Sequence, residues 1–321
     1  MVTSHKLSII LLSAILLCAG CAKIEANLSN DVGRVTARVE LDALQSKAVS
    51  DGDGAAANID RWIIEVRDIL QQDAVYYREV KASEKGVRTQ TFELTLVKNH
   101  TYAIAFWADK SGSYDVSNLQ RVKFTNIAKI GNSDTFDAFF AGIQFTYDGT
   151  PAMNVKLYRP LAQVNVITTD LPDLKAGSTA ASYASYEPKK FSFRTNLPTA
   201  FNVYNGEASE EQEVTITPEA AVDKCYASYA AAADPTTIFM VYVLGNKYAN
   251  EQEKDIRNIG FSMKPGGVLI DCQFNSIPVK RNYRTNIIGS FLTNSTIWTV
   301  EVVPSWKSGD EGEGDLKASL N

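Results

Sequence analysis

Histidine is almost missing from this sequence, with two in 321 residues, His5 and His100. A Ser-His-Asp triad in the body of the chain would have to use His100. No Gly-x-Ser-x-Gly elbow, phosphate-cradling glycine loop or dinucleotide fingerprint occurs. His100 stands in a turn beside a strand pattern and reads as a turn residue. The chain therefore reads as non-enzymatic, with no cofactor. Metal chemistry is equally thin. Asp51-Gly52-Asp53-Gly54 lacks the later acidic ligands of a calcium loop and reads as a flexible turn. Glu311, Glu313 and Asp315 alternate with glycine in a solvated tail.

Cysteine is also scarce, at four residues. Two lie at Cys18 and Cys21; the others are Cys225 and Cys272. Two cysteines make no disulfide framework, and two separate buried thiols is the simpler reading, although export would permit a bridge. Basic charge is not in excess: the net charge is −5, which excludes nucleic acid as a partner on electrostatic grounds. Long apolar runs are missing after residue 20, so no later segment reads as a membrane span.

What is present begins at the N-terminus. Lys6 precedes an apolar run, Leu7 to Leu17, too short to cross a bilayer, which takes about 20 residues. Ala19 and Gly20 then lead into Cys21. Small residues before a cysteine are what a lipoprotein signal peptidase needs, and the Cys21 thiol would carry the lipid. An ordinary secretory signal cut near Gly20 is the alternative. Residues 1–20 are thus a signal peptide and 21–31 a polar tether. The remainder has room for about two domains at ~150 residues each.

The body of the chain is patterned as β-strand. Val32, Val35, Ala37, Val39 and Leu41 alternate with Arg34, Arg38 and Glu40. Trp62, Ile64 and Val66 alternate with Ile63, Glu65 and Arg67, a strand buried on one face and partly on the other. Phe92, Leu94 and Leu96, a Lys98-Asn99 turn, and Tyr102, Ile104 and Phe106 read as a hairpin. Asp134 to Ala141 reads as a short helix capped by Asp134, with Phe136, Phe139 and Phe140 inward. Arg159-Pro160 interrupts the next pattern and marks a boundary between sandwiches at 32–158 and 159–306. Beyond it come short pieces at Phe191 and Phe193, Phe201 and Val203, and Val214 and Ile216. Ala220 to Ala233 reads as a helix, Ile238 to Leu244 as a fully buried strand, and Ile297 to Val303 as a last strand. Residues 307–321 form an acidic tail. Many short strands at 8–12-residue spacing indicate a mainly β fold of two tandem β-sandwiches.

Several strings resemble the fimbrillin family, the lipoprotein precursors of type V pili in Bacteroides-type bacteria. They are His100-Thr-Tyr-Ala-Ile-Ala-Phe-Trp-Ala-Asp109, Asn132-Ser-Asp-Thr-Phe-Asp-Ala-Phe-Phe140 and Leu157-Tyr-Arg-Pro-Leu-Ala-Gln-Val-Asn165. Pro198-Thr-Ala-Phe-Asn-Val203 and Val279-Lys-Arg-Asn-Tyr-Arg-Thr-Asn-Ile-Ile-Gly289 follow in order. The resemblance implies two transthyretin-like sandwiches, an outer-membrane lipoprotein, and polymerisation by strand exchange that supports adhesion. A protease would remove the first strand, and a neighbouring subunit would fill the groove with a C-terminal strand. The expected partners are other pilus subunits or the protein itself, and the membrane through the lipid on Cys21. The displaced strand would carry Val32, Val35, Ala37, Val39 and Leu41; the donor strand, Trp298, Val300 and Val302. Family members are cut after an arginine in the loop that follows the first strand. This chain has Lys47 there, and its nearest arginines are Arg38 and Arg61. A lipid-anchored glycan-binding sandwich, using exposed tryptophans or tyrosines, is the alternative function.

Overall fold

The computed structural model describes residues 31–42, 56–69, 74–170, 191–218, 236–246, 255–263, 270–291 and 298–303. Cys21, Lys47, the Asp51–Gly54 turn, the expected helix at 220–233, Cys225, Trp306 and the tail lie outside them.

The fold is mainly β. The first strands are β1 (Val32–Leu41), β2 (Arg61–Asp68), β3 (Ala74–Ala82), β4 (Thr89–Val97) and β5 (Thr101–Asp109). Two short strands follow, β6 (Tyr114–Asp115) and β7 (Val122–Phe124), then β8 (Ala138–Thr146) and β9 (Ala152–Leu157). The second series is β10 (Leu161–Thr168), β11 (Ser192–Asn202), β12 (Glu207–Ile216), β13 (Thr236–Leu244), β14 (Asp255–Met263), β15 (Ile270–Val279), β16 (Arg284–Gly289) and β17 (Trp298–Val303).

Pairing repeats. In the first set β1 lies between β4, antiparallel, and β9, parallel. Facing this sheet is another in the order β3-β2-β5-β8. In the second set β10 lies between β13, antiparallel, and β16, parallel. Its companion sheet pairs β12 with β11, β11 with β14 and β14 with β15. So β1, β2, β3, β4, β5, β8 and β9 correspond in pairing and direction to β10 through β16. Two features fall outside this correspondence. β17 adds to the outer side of β16. β6 and β7, which precede residue 158 in the chain, join the second set by pairing with β11.

The alternation of β1 puts Val35, Ala37, Val39 and Leu41 in one apolar cluster with Phe92, Leu94, Ile104 and Phe106. Two sheets burying their apolar faces against each other is sandwich packing. β2, β5 and β8 are covered on both faces. Their other faces contribute Ile63, Ala105, Trp107 and Phe140 to a second cluster built from β10, β11, β13, β14 and β15. Phe201 sits at the meeting point, 4.7 Å from Phe140 and 6.2 Å from Trp107, centroid to centroid. Gly142 on β8 is needed here, because a Cβ would collide with the carbonyl oxygens of Val203 and Tyr204. Beside it Tyr204 Oη donates to Glu65 Oε1 at 2.9 Å and accepts from Arg67 Nε at 3.0 Å. Burial and the Glu65 charge push the Tyr204 phenol up, so it stays a donor.

Three expectations need correction. Phe92–Leu96 and Tyr102–Phe106 are not a hairpin. β4 pairs with β1 and β5 with β2 and β8, so the turn at Asn99, with φ 65°, carries the chain between facing sheets. Alternation reports which face is buried and is silent on the partner. The Phe92 and Phe106 rings meet across the core at 6.4 Å. Asp134–Ala141 is not a helix. A 3-10 turn at Asp134–Phe136, capped by Ser133, leads directly into β8. Phe139 and Phe140 are both buried because β8 is covered on both faces, which mimics helical spacing. The pieces at Phe193 and Phe201 belong to one strand, β11.

Candidate strand-exchange site

β1 fills a slot between two strands. Val35, Ala37, Val39 and Leu41 are buried on the inner face, whereas Val32, at 40% exposed, is outside it. Arg34, Arg38 and Glu40 face outward and are exposed. Gly33 lets the Tyr147 ring lie close over the start of β1, where a Cβ would collide with the phenol oxygen. At the other end Asp42 accepts from Lys156 Nζ at 2.7 Å. Burying Val35, Val39 and Leu41 stabilises by roughly 5–9 kcal/mol together. The departure of β1 therefore carries a cost of that order, which a replacement of similar apolar content would offset.

β17 is held far more loosely. Among the described residues it pairs with β16 alone. Trp298 and Val300 are half-buried and share a face with Val302, which is 37% exposed. The Trp298 ring meets Phe274 edge-on at 5.2 Å. On the other face Glu301 accepts from Asn286 Nδ2 at 3.2 Å. The alternation of this strand is the one expected of a donor, and its cost of release is the smaller of the two.

The cleavage candidates fall in unequal places. Arg38 lies mid-strand in β1, with both flanking strands paired to it. Arg61 opens β2 and forks onto Asp109, Nε to Oδ1 at 2.7 Å and Nη2 to Oδ2 at 2.5 Å, and also reaches the Tyr114 carbonyl at 3.1 Å. Burial lowers the Arg61 pKa, the Asp109 contact raises it, and the net is upward. Neither arginine is in an open loop, so neither backbone is presented to a protease in this conformation.

Other sequence candidates resolve simply. His100 Nδ1 is 2.7 Å from the buried Asp68 Oδ2, and its ring stacks on Tyr102. Trp62 and Trp107 are core residues, 1% and 0% exposed. Cys272 is buried on β15, and burial pushes its thiol up to about 11. Among the described residues no group of three or more His, Cys, Asp or Glu side chains converges as a metal site. An open polar hollow of about 440 Å³ lies on the outer face of β11, β12, β14 and β15, around Arg194, Asn196, Glu213, Gly260 and Gln273.

No curated protein matches the chain. Among solved structures it is similar to a Bacteroides thetaiotaomicron protein described as a candidate polysaccharide-binding protein, at 14% identity and TM-score 0.48, covering 88% of this chain and 100% of that one. It is also similar to the fimbrial anchor protein Mfa2 of Porphyromonas gingivalis, at 10% identity and TM-score 0.45, covering 84% and 97%. A third is a fimbrial assembly protein of Parabacteroides distasonis, at 12% identity and TM-score 0.43, covering 90% and 99%. At the level of family models, residues 25–318 match DUF6562. The chain belongs to that family of unknown function.

Proposed function

We propose that this protein is a fimbrial-type surface subunit that supports adhesion, anchored through Cys21 at least as a precursor and assembled by β-strand exchange. The first set of strands accepts and the second set donates. The single observation that carries this reading is the contrast between β1 and β17. β1 closes a slot flanked on both sides by strands and filled by one apolar face. β17 is an edge strand with apolar residues on alternate positions, none of them fully buried. A slot that exposes backbone donors and an apolar floor is filled by an extended strand from a neighbour. The ordered strings shared with fimbrillins support the same reading. The organisation into sandwiches at 32–158 and 159–306 is part of the proposal; β6 and β7 would then reach across that division to β11.

The test is to shear surface appendages from cells, probe them for this protein, and sequence its N-terminus. Recovery in sheared polymer with a start beyond Leu41 is the outcome expected of a processed shaft subunit. A start at an acylated Cys21 fits an anchor. Recovery only as a periplasmic monomer would overturn the reading.

A second reading rests on the polar hollow. The side chains of Asn196, Glu213 and Gln273 have no hydrogen-bond or ionic partner among the described residues, and Gly260 leaves a notch between them. Such a surface would suit a polyol such as a glycan better than an apolar ligand. Binding to a panel of polysaccharides, lost in Asn196→Ala together with Gln273→Ala, is the outcome it requires.

A further inference from the structure

The repeat between the two sets fixes residue-by-residue equivalences. Thr36 N–H donates to the Pro151 carbonyl and Asp42 N–H to the Leu157 carbonyl, each at 2.8 Å. In the second set Gln163 N–H donates to the Tyr283 carbonyl and Thr169 N–H to the Gly289 carbonyl, each at 3.0 Å. The spacing along each strand is the same, so β9 overlays β16 with Ala152 on Arg284, Asn154 on Asn286 and Lys156 on Ile288. In a parallel pair the backbone groups alternate in direction. Those of Met153, Val155 and Leu157 point to β1; those of Ala152, Asn154 and Lys156 point away. The corresponding outward groups of Arg284, Asn286 and Ile288 are taken by β17, opposite Val303, Glu301 and Thr299. Among the described residues no strand pairs with the outward groups of Ala152, Asn154 and Lys156; those of Tyr158, next in line, are taken by Phe140 of β8 at 2.8 and 2.9 Å, so the free edge ends at Leu157. Asn154 and Lys156 are exposed there, and the Asn154 side chain has no partner among the described residues.

We infer that the outer edge of β9 is an acceptor for β17 of a second copy, with β1 still in place. The inference rests on the strand-exchange reading and locates one acceptor that needs no proteolysis. Three features select this occupant. The Asn286–Glu301 side-chain bond has its counterpart ready, because Asn154 stands where Asn286 does. In the same register Val302 would face Met153, Val300 would face Val155 and Trp298 would face Leu157. In its own molecule β17 faces Thr285, Ile287 and Gly289, so the β9 edge offers the more apolar set. Finally, donor and acceptor lie on different parts of the molecule, so the contact is head-to-tail, the kind that builds open filaments or rings. This acceptor also agrees with Arg38 and Arg61 being locked in strands.

The test uses the full-length protein on cells, with Asn154→Cys and Glu301→Cys combined and each single variant as control. Directly opposed residues of a hydrogen-bonded antiparallel pair lie about 5.5 Å apart at Cα, within disulfide reach. The expected result is a non-reducing ladder of multimers at least tenfold above either single variant, whose chains retain the residues of β1 on sequencing. Asn154→Pro should abolish the uncross-linked multimers while leaving the monomer fold unchanged, because the N–H it removes is unpaired in the monomer. No ladder above the controls, or a ladder only from chains lacking β1, overturns the inference. If sheared appendages contain the protein in that case, the strand-exchange reading survives without it.

Discussion

β1 and β10 occupy equivalent places, yet one is buried on a single face and the other on both. Each lies between an antiparallel and a parallel neighbour. Outward positions of β1 are Thr36, Arg38 and Glu40, and the last two are exposed. The equivalent positions of β10 are Gln163, Asn165 and Ile167, all buried. Asn165 Nδ2 donates to Asn286 at 2.9 Å inside that layer. The difference bears on the proposed exchange. A strand covered on one face can be exchanged when a partner supplies the same apolar floor. A strand covered on both faces can be replaced only by dismantling what lies outside it. The edges differ in the same sense: β16 is capped by β17, whereas among the described residues no strand caps β9 before the Phe140 bridge at Tyr158.

The largest expected effect lies where the two sets join. Arg159, between β9 and β10, forks onto Asp137 at 2.8 and 2.9 Å, with both side chains at most 3% exposed. Its guanidinium also lies over the Phe139 ring at 4.6 Å. Arg159→Met leaves a buried carboxylate unpaired and should cost about 3–5 kcal/mol. Denaturant unfolding should show both sets losing stability together; loss confined to one would mean they are uncoupled and would weaken the comparison.

Next comes the outer-face contrast itself. Asn165→Ala should cost about 1–3 kcal/mol, because the buried Asn286 Oδ1 loses the Asn165 donor. Arg38→Ala, at the equivalent position, should stay within about 0.5 kcal/mol. Equal costs would mean that β1 is held as β10 is. Trp298→Ala should cost about 1–2 kcal/mol, since the ring is only partly buried. It should reduce multimers on the cell surface by more than it lowers the monomer's melting temperature.

The smallest effect concerns the β6–β7 segment. Arg121 and Lys123 both bond Glu210 on β12, which holds its carboxyl down at about 2. A lowered carboxylate pKa contributes stability above the ordinary value of about 4.5, and that contribution disappears as the pH falls toward 2. Because the group is at the surface, the contribution is small. Melting curves between pH 5 and 2 at low salt should be slightly flatter for Glu210→Gln, and the difference should vanish at about 1 M salt.

Much of this was legible in the sequence because burial writes its own period. The one-sided alternation of Val35, Ala37, Val39 and Leu41 and the dense run Ile238–Leu244 both appear as read. The last strand is as clear, since Trp298, Val300 and Val302 alternate with polar residues before Pro304. Partners were not legible. Nothing local says that β4 pairs with β1 rather than β5, or that Val122 will pair with Phe201. Glu65 reads as an outward strand residue, yet it is buried because Arg67, Arg78 and Tyr204 converge on it from three segments. The β9 edge was invisible for the same reason: Asn154 gains meaning only when β9 is laid over β16.

The most direct measurement is native-state hydrogen exchange, comparing amides of β1 with those of β10. If β1 is the exchangeable strand, residues 32–41 exchange through an opening at least tenfold more frequent than global unfolding, while residues 161–168 exchange only with it. Equal protection of the two strands would contradict the account.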